Sequence, residues 1–267
     1  MPSRAREARF NRILEIAQQG GNVNATDLSH QLGVSEVSVR RDLRELAEKG
    51  VLHRWYGQAA YSRPGPEEPL AIQRLHENRI YKEAIGRAAA NLIKDDESVF
   101  LGSGSTTVYV ARNLSGRSKL TVVTNSLNIG MELAAMPNLT VVVLGGLLRP
   151  AELSLIGHIT EQSLKEVRVD KVIIGIPAIS LDHGLTNDFL PEVVTDRALI
   201  NMSPELIIVA DHTKFGKAGL AYVAPVSRIT TLVTDDCVNE TILSAISAMG
   251  IKIIQAETVH TPNDNCK

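Results

Sequence analysis

Two stretches of this chain carry the residue types that hold anions. Within residues 35–44, Arg40, Arg41 and Arg44 stand beside Ser35, Val37 and Ser38. A guanidinium clamps phosphate or pairs bidentately with guanine, and a serine hydroxyl can serve either purpose. Beyond residue 100, Gly102-Ser103-Gly104-Ser105-Thr106-Thr107 joins two glycines to four hydroxyls. Glycines let the backbone approach an anion closely, and successive amides at a helix N-terminus offer donors and partial positive charge. The stretch is neither a GxGxxG fingerprint nor a Walker loop with its lysine, so nucleotide binding is disfavoured and no cofactor is expected. Four more polar clusters lie further along: Thr124-Asn125-Ser126, Gly145-Gly146 with Arg149, Gly184-Leu185-Thr186-Asn187-Asp188, and Asp211-His212-Thr213-Lys214-Phe215-Gly216. Hydroxyls, an amide, carboxylates and a lysine make the donor and acceptor mixture that a polyol phosphate needs. Singly, each is as well explained as a cap or turn. Their convergence carries the inference.

The elements that must position them fall into two groups. Residues 6–19 pattern as a first helix, stopped by Gly20-Gly21, with Ile13, Ile16 and Ala17 on one face. Asn24 suits the N-cap of a second, short helix that Gly33 closes, and Ser35 caps a third running to about Glu48. Val34 and Val39 have the hydrophobic-staple spacing. In the third helix Val39, Leu43 and Leu46 recur at core spacing, which turns Val37, Ser38, Arg41 and Arg44 onto another flank with Arg40 beside them. A short helix, a tight turn and a helix basic in its first half is the helix-turn-helix arrangement, whose second helix enters the major groove. The plain alternative is a solvated face in which the arginines pair with Asp42, Glu45 and Glu48. The residues beyond this helix favour the first: 51–57 and 58–61 pattern as two strands and a turn, a wing with Arg54 placed to touch phosphate and Trp55 packed beneath.

After Ser62-Arg63-Pro64-Gly65-Pro66-Glu67-Glu68-Pro69 the pattern changes. Three prolines and a glycine in eight residues deny helix and strand alike, so a linker is expected over 62–75. Beyond it, Val/Ile/Leu-rich runs at 98–101, 120–123, 140–144, 171–176, 206–210, 231–233 and 252–254 alternate with helical stretches near 76–93, 106–114, 127–136, 158–167, 192–202 and 239–248. Several runs lack polar alternation, as strands buried on both faces of a parallel sheet do. The expected fold class is α/β: a winged helix-turn-helix domain over 1–61, a three-layer α/β domain over 76–257, and a disordered tail over 258–267.

Composition is that of a soluble globular protein, 44% hydrophobic and 22% charged. The net charge of −2 hides an asymmetry: residues 1–63 hold ten basic against seven acidic groups, the rest 18 against 23. A positive end joined to a more acidic domain fits a DNA reader with a sensor. Arginines near the N-terminus precede no apolar run, and the most apolar stretch, 139–148, is half the ~20 residues a membrane helix needs. A cytoplasmic protein with no membrane partner is expected. Cys237 and Cys266 match no metal spacing and are expected to be unpaired thiols, and no metal site is expected.

Val34-Ser35-Glu36-Val37-Ser38-Val39-Arg40-Arg41-Asp42-Leu43, with His53-Arg54 and a glycine further on, resembles the DNA-binding signature of the DeoR family of bacterial sugar-metabolism regulators. Gln58 stands where the family usually has a second wing glycine. The sensor motifs resemble the family too: a lysine near a helix start (Lys82), paired threonines after a small-residue loop, Thr124-Asn125-Ser126, Gly145-Gly146, Gly184-Leu185-Thr186 and Asp211-His212-Thr213-Lys214-Phe215-Gly216. The resemblance spans roughly residues 6–255 and implies a helix-turn-helix over about 23–42, a sensor similar in fold to ribose-5-phosphate isomerase, and a phosphosugar effector that weakens operator binding. The expected function is a homo-oligomeric (dimeric or tetrameric) transcriptional repressor of a carbohydrate operon, with double-stranded DNA as partner. The rival is a sugar-phosphate isomerase with an accessory DNA-binding module. The Asp-Gly-Ala-Asp segment of those isomerases has Gly175-Ile176-Pro177-Ala178 as its counterpart here, without carboxylates, so no catalytic residue is expected.

Overall fold

Seven of the apolar runs lie side by side in one parallel sheet. The computed structural model describes residues 9–10, 12–13, 16, 22–48, 52–55, 58–61 and 71–258, with backbone alone for 22–24, 47–48, 52–55 and 58–61. The chain divides into two compact units, Met1–Glu68 and Pro69–Lys267.

In the first unit, β1 (Asn22–Asn24), α1 (Ala25–Leu32), α2 (Glu36–Glu48), β2 (Leu52–Trp55) and β3 (Gln58–Tyr61) succeed one another, and the strands form an antiparallel sheet in the order β1-β3-β2. Residues 9–10, 12–13 and 16 are helical; the rest of the expected first helix lies outside the described residues. Phe10 and Ile13 close a core with Ala25, Leu28, Val39, Leu43 and Leu46, with Val34 packed at its edge. Ser35 caps α2 as its type requires, its Oγ accepting the Ser38 amide at 3.3 Å. Trp55 pairs with Gln58 across the wing, whose turn at 56–57 lies outside the described residues. The strand β1, which pairs with β3, was not legible in three residues of sequence.

The second unit holds β4 (Ser98–Leu101), β5 (Leu120–Thr124), β6 (Leu139–Val143), β9 (Lys171–Ile174), β12 (Glu205–Val209), β14 (Thr231–Asp235) and β15 (Lys252–Ala256), ordered β15-β14-β12-β9-β4-β5-β6 with every pair parallel. Side chains alternate between two apolar layers. Val99, Leu101, Val122, Ile173, Ile207 and Val233 meet α4 (Arg79–Ala90), α5 (Ser105–Arg112) and α6 (Leu127–Ala134). Phe100, Val123, Val172, Ile174, Leu206, Ile208 and Leu232 meet α7 (His158–Lys165), α8 (Leu190–Ile200) and α9 (Glu240–Ala248). Burial on both faces is why these runs show no polar alternation. From β4 the chain winds outward to β5 and β6, and from β9 it winds the other way, so the topological switch point lies between β4 and β9.

Shorter elements depart from the sequence reading. The hairpin β7 (Leu147–Arg149) and β8 (Ser154–Ile156), and the antiparallel sheet of β10 (Ala178–Ser180), β11 (Gly184–Asn187) and β13 (Ala221–Ala224), were not anticipated. Residues 184–187, expected as a loop, are strand β11, paired on both sides. Within the stretch expected as linker, Ala71–Arg74 is a helical turn, α3, whose Ala71 amide donates to the Ala151 carbonyl at 2.7 Å. Of the expected tail, 259–267 lies outside the described residues.

Helices α4 and α5 pack without a side chain between them at Gly86: a Cβ there would lie 2.6 Å from the Tyr109 backbone carbon and Cβ. Gly86 is one turn beyond Lys82 on the same helix. Gly86→Ala should destabilise this unit by ~1–3 kcal/mol, the usual cost of overpacking, read as a lower denaturant midpoint; an unchanged midpoint would mean the helices are free to separate.

Candidate functional site

At 100° per residue, Val37, Arg41 and Arg44 project from α2 on the side opposite Val39, Leu43 and Leu46. Val37 is 76% exposed, and Arg41 and Arg44 are exposed with no side-chain hydrogen bond or ion pair among the described residues. Arg40 is exposed and pairs with Glu36 at 2.9 Å, one turn back. Asp42, one acidic partner a solvated face would have used, points the other way: it is buried and accepts from Arg9 Nε of the first helix at 2.5 Å. Ser35 and Ser38 face each other at 3.0 Å at the N-terminus of α2. The side chains of Arg54 and Trp55 lie outside the described residues.

In the second unit, strand register places the polar residues along the carboxyl edge of the sheet. Leu101 lies opposite Thr124 on one side and Ile173 on the other, so the 102–107 turn leaves β4 at the switch point, with Asn125 one strand away. Gly102 donates its amide to Ile173, and a Cβ there would sit 2.7 Å from Ile174 Cγ2. Gly104, the N-cap of α5, has φ +136°, a conformation L side chains rarely adopt. Thr107 Oγ1 donates back to the Gly104 carbonyl at 2.8 Å. The hydroxyls of Ser103, Ser105 and Thr106 make no hydrogen bond among the described residues. Thr124 is structural: its buried hydroxyl donates to Leu101 and accepts from Ser126. Asn125, 1% exposed, donates to the Leu155 carbonyl at 3.1 Å, while its Oδ1 has no partner among the described residues. Ser126 Oγ bonds Asn128 Oδ1.

Two strands from β4 on the other side, β12 runs into Asp211, also 1% exposed. Its Oδ1 accepts the Thr213 amide at 3.0 Å and its Oδ2 has no partner among the described residues. Lys82, buried on α4, donates to the Arg74 carbonyl at 2.6 Å. Burial pushes its ammonium down to about 8, opposed by the Asp211 carboxylate and assisted by Lys214. Lys214 is half-buried in the turn after Asp211.

Several expected site residues are placed elsewhere or already engaged. Arg149 lies on the β7–β8 hairpin, buried, ion-paired with Glu192 and stacked 4.1 Å over the Phe189 ring. Gly145 and Gly146 serve close packing: Thr160 Oγ1 donates to the Gly145 carbonyl, and a Cβ at Gly146 would fall 2.0 Å from Thr160 Oγ1. Thr186 accepts the Gly219 amide at 2.7 Å, and exposed Asp188 accepts that of Leu220 at 2.9 Å, both in the small antiparallel region. These residues are taken up by packing and pairing, whereas the carboxyl edge carries the 102–107 turn, Asn125, Asp211 and Lys214, with Lys82 within electrostatic reach of Asp211 and Lys214.

Sequence reasoning missed a second buried network. Glu192 accepts from Arg149, Ser154 and Asn187, and Asn187 also donates to Asp196 at 2.8 Å. Burial, then the Glu192 charge, raise the Asp196 carboxyl to about 7. Glu152 pairs with Arg74. Only the apolar interruption at charged positions hinted at these, and no spacing rule joins them. His212, Asp235 and Cys237 bring ligand-type atoms within 4.8 Å of one another. Cys237 is disulfide-bonded, however, which corrects the expectation of unpaired thiols and leaves its sulfur unfit for a metal. Cys266 lies outside the described residues.

Residues 9–64 match the DeoR-like helix-turn-helix domain, and residues 77–236 match the DeoR C-terminal sensor domain. The chain belongs to the DeoR family. It is 33% identical over 227 residues to the glycerol-3-phosphate regulon repressor of Escherichia coli K12, covering 85% of this chain and 90% of that one. It is 28% identical over 249 residues to the transcriptional regulator GolR of Listeria innocua, at 93% and 98% coverage. A putative aga operon transcriptional repressor of Escherichia coli O157:H7 is 29% identical, covering 92% of each chain. Ribose 5-phosphate isomerase A of Neisseria gonorrhoeae is similar over 52% of this chain and 54% of its own, with a TM-score of 0.38 and 19% identity. This DeoR-family protein is a DNA-binding transcription regulator. The isomerase alternative falls away, since the relatives are regulators and repressors rather than enzymes. Among the described residues no helix is long and apolar enough to cross a membrane.

Arg41→Ala should weaken operator binding at least tenfold and reduce the salt slope by about 1, with the sensor's melting temperature unmoved; an equal loss of melting temperature would make the residue structural. For Lys82, between pH 8 and its ordinary 10.5 the unfolded chain holds a proton that the folded one lacks, so stability rises with pH across that window. Lys82→Met should abolish the rise, measured as sensor unfolding in urea at about pH 7.5 and 9.5; a rise that survives the substitution assigns it to another group.

Proposed function

We propose that this regulator represses a carbohydrate-utilisation operon in the cytoplasm and releases its operator when a phosphorylated sugar or polyol occupies the carboxyl edge of the parallel sheet. One observation carries the reading. Where the chain diverges from β4 and β9, the amide- and hydroxyl-lined 102–107 turn stands between two buried acceptors, Asn125 Oδ1 and Asp211 Oδ2, that have no partner among the described residues. Open α/β sheets bind ligands at this switch point. The turn and the α5 N-terminus offer donors to a phosphate, Lys82 and Lys214 supply cationic charge, and the buried acceptors suit hydroxyl hydrogens. The names of the relatives support the same class: one is a glycerol-3-phosphate regulon repressor, another an aga operon repressor.

For DNA, the outward stripe Val37, Arg41 and Arg44, with Ser35, Ser38 and Arg40 beside it, is the reading surface, and Arg54 is assigned a contact to backbone phosphate. A homo-oligomer, a dimer or a tetramer, presents two such helices to half-sites about one helical turn apart. Moving operator occupancy from about 99:1 to 1:99 requires the effector to prefer the released state by ~5.5 kcal/mol.

A thermal-shift panel of sugar and polyol phosphates, sn-glycerol 3-phosphate and D-ribose 5-phosphate among them, tests this against the unphosphorylated compounds. At least one phosphorylated member should raise the melting temperature and release operator DNA while its unphosphorylated counterpart does neither. Lys214→Ala should leave operator binding within twofold and blunt the release; an unchanged effector response removes Lys214 from the site.

A further inference from the structure

Helix α3 is the first described element after the proline-rich segment that adjoins the reader. Four residues long, it has a single helical bond of its own from the Leu75 amide to the Ala71 carbonyl at 3.1 Å, and the sensor fixes it from several sides. The Ala71 amide donates to Ala151, Arg74 Nη2 pairs with Glu152 Oε1, the Arg74 carbonyl accepts Lys82 Nζ, and the adjoining Leu75 carbonyl accepts the Tyr109 hydroxyl at 2.8 Å. Every anchor belongs to a wall of the strand-end site: the β7–β8 hairpin, α4 or α5. Glu152 is the anchor with capacity to spare. It is 7% exposed, and its Oε2 is buried with no hydrogen-bond partner among the described residues. Residues 153–155 run against 125–127: Leu155 donates to the Asn125 carbonyl at 2.7 Å, Leu127 donates to Leu153 at 2.9 Å, and Ser126 bridges to Ser154. Glu152 therefore lies between the segment carrying Asn125 and the Arg74–Lys82 contact.

We propose that Glu152 accepts a hydroxyl hydrogen from the polyol end of the effector through Oε2 and, through Oε1 on Arg74, makes α3 respond to that contact. The inference rests on the phosphosugar reading of the site. A carboxylate repels a phosphate, so the phosphate belongs at the 102–107 turn and the hydroxyls turn toward Glu152 and Asn125. Burial raises the carboxyl of Glu152 while Arg74 opposes the rise, which is the condition of a buried acceptor held by one cation and short of donors. An inorganic phosphate fills only the turn and leaves α3 unmoved; a polyol phosphate bridges turn and hairpin and tightens it.

The test uses the full chain with inorganic phosphate, sn-glycerol 3-phosphate and D-ribose 5-phosphate. Glu152→Gln keeps the side-chain volume and replaces one acceptor oxygen by a donor. It should weaken the better-binding polyol phosphate at least tenfold while leaving the inorganic phosphate affinity within twofold. In the wild-type protein, hydrogen exchange of residues 71–78 should slow at least fivefold at saturating polyol phosphate and stay unchanged with inorganic phosphate; this measurement needs no variant and stands even if Glu152→Gln misfolds. Equal polyol phosphate affinity in wild type and variant, or exchange at 71–78 indifferent to ligand, overturns the role of Glu152. If none of the three compounds, nor any other sugar phosphate in the panel, stabilises the wild-type protein, it is the effector reading that fails.

Discussion

The divergence of the chain at the carboxyl ends of β4 and β9 is the constraint on which the sensor depends. Neighbouring crossovers leave in opposite directions there, which is where open α/β sheets bind their ligands. Both faces of the sheet are given over to apolar layers, from Val99 and Leu101 on one side to Phe100 and Ile174 on the other. Polar groups are thereby confined to strand ends. At the carboxyl ends they are Gly102 to Thr107, Asn125 and Asp211. A residue such as Lys171 at the amino end is instead neutralised on the spot by Glu97.

The reader obeys a different constraint. A helix of thirteen residues has one stripe to bury and one to present, and α2 buries Val39, Leu43 and Leu46 together with the carboxylate of Asp42. Drawing Asp42 inward onto Arg9 has an electrostatic consequence. The acid that sits between Arg41 and Leu43 in sequence no longer screens the arginines, so positive charge on the outward stripe is stronger than composition suggests. The net charge of −2 is therefore a poor guide to the field a duplex would meet.

Sequence patterning made the long elements legible. Each of the seven parallel strands falls on an apolar run, and Ser35, Val34 and Val39 mark the start of α2 by their types alone. Reading failed where three or four residues make an element by pairing: β7, β8, β10, β11 and β13 lack length for any periodicity, and Gly184-Leu185-Thr186-Asn187 looks like a loop because its burial is imposed by β10 and β13. The same holds for α3, whose helical turn depends on Ala151, eighty residues away. Among polar residues, turn and cap types such as Gly102, Asn125 and Asp211 were conspicuous. Arg74, Glu152, Glu192 and Asp196 were invisible because their meaning lies in one another, and Arg149 was misplaced for the same reason.

That second network bears on how a sensor can be stable and responsive at once. Buried ion pairs such as Arg149–Glu192 and Arg74–Glu152 contribute little net stability, because desolvating both charges offsets their attraction, and apolar replacements of similar volume often do as well. Removing one partner, by contrast, is costly. Glu192 stands in the first turn of α8, Arg149 ends β7, Glu152 lies in the β7–β8 turn, and Arg74 ends α3, so the network touches connections between elements rather than the apolar layers. A ligand that added one hydrogen bond to this network would act on those connections, while the apolar layers of the sheet would be left untouched.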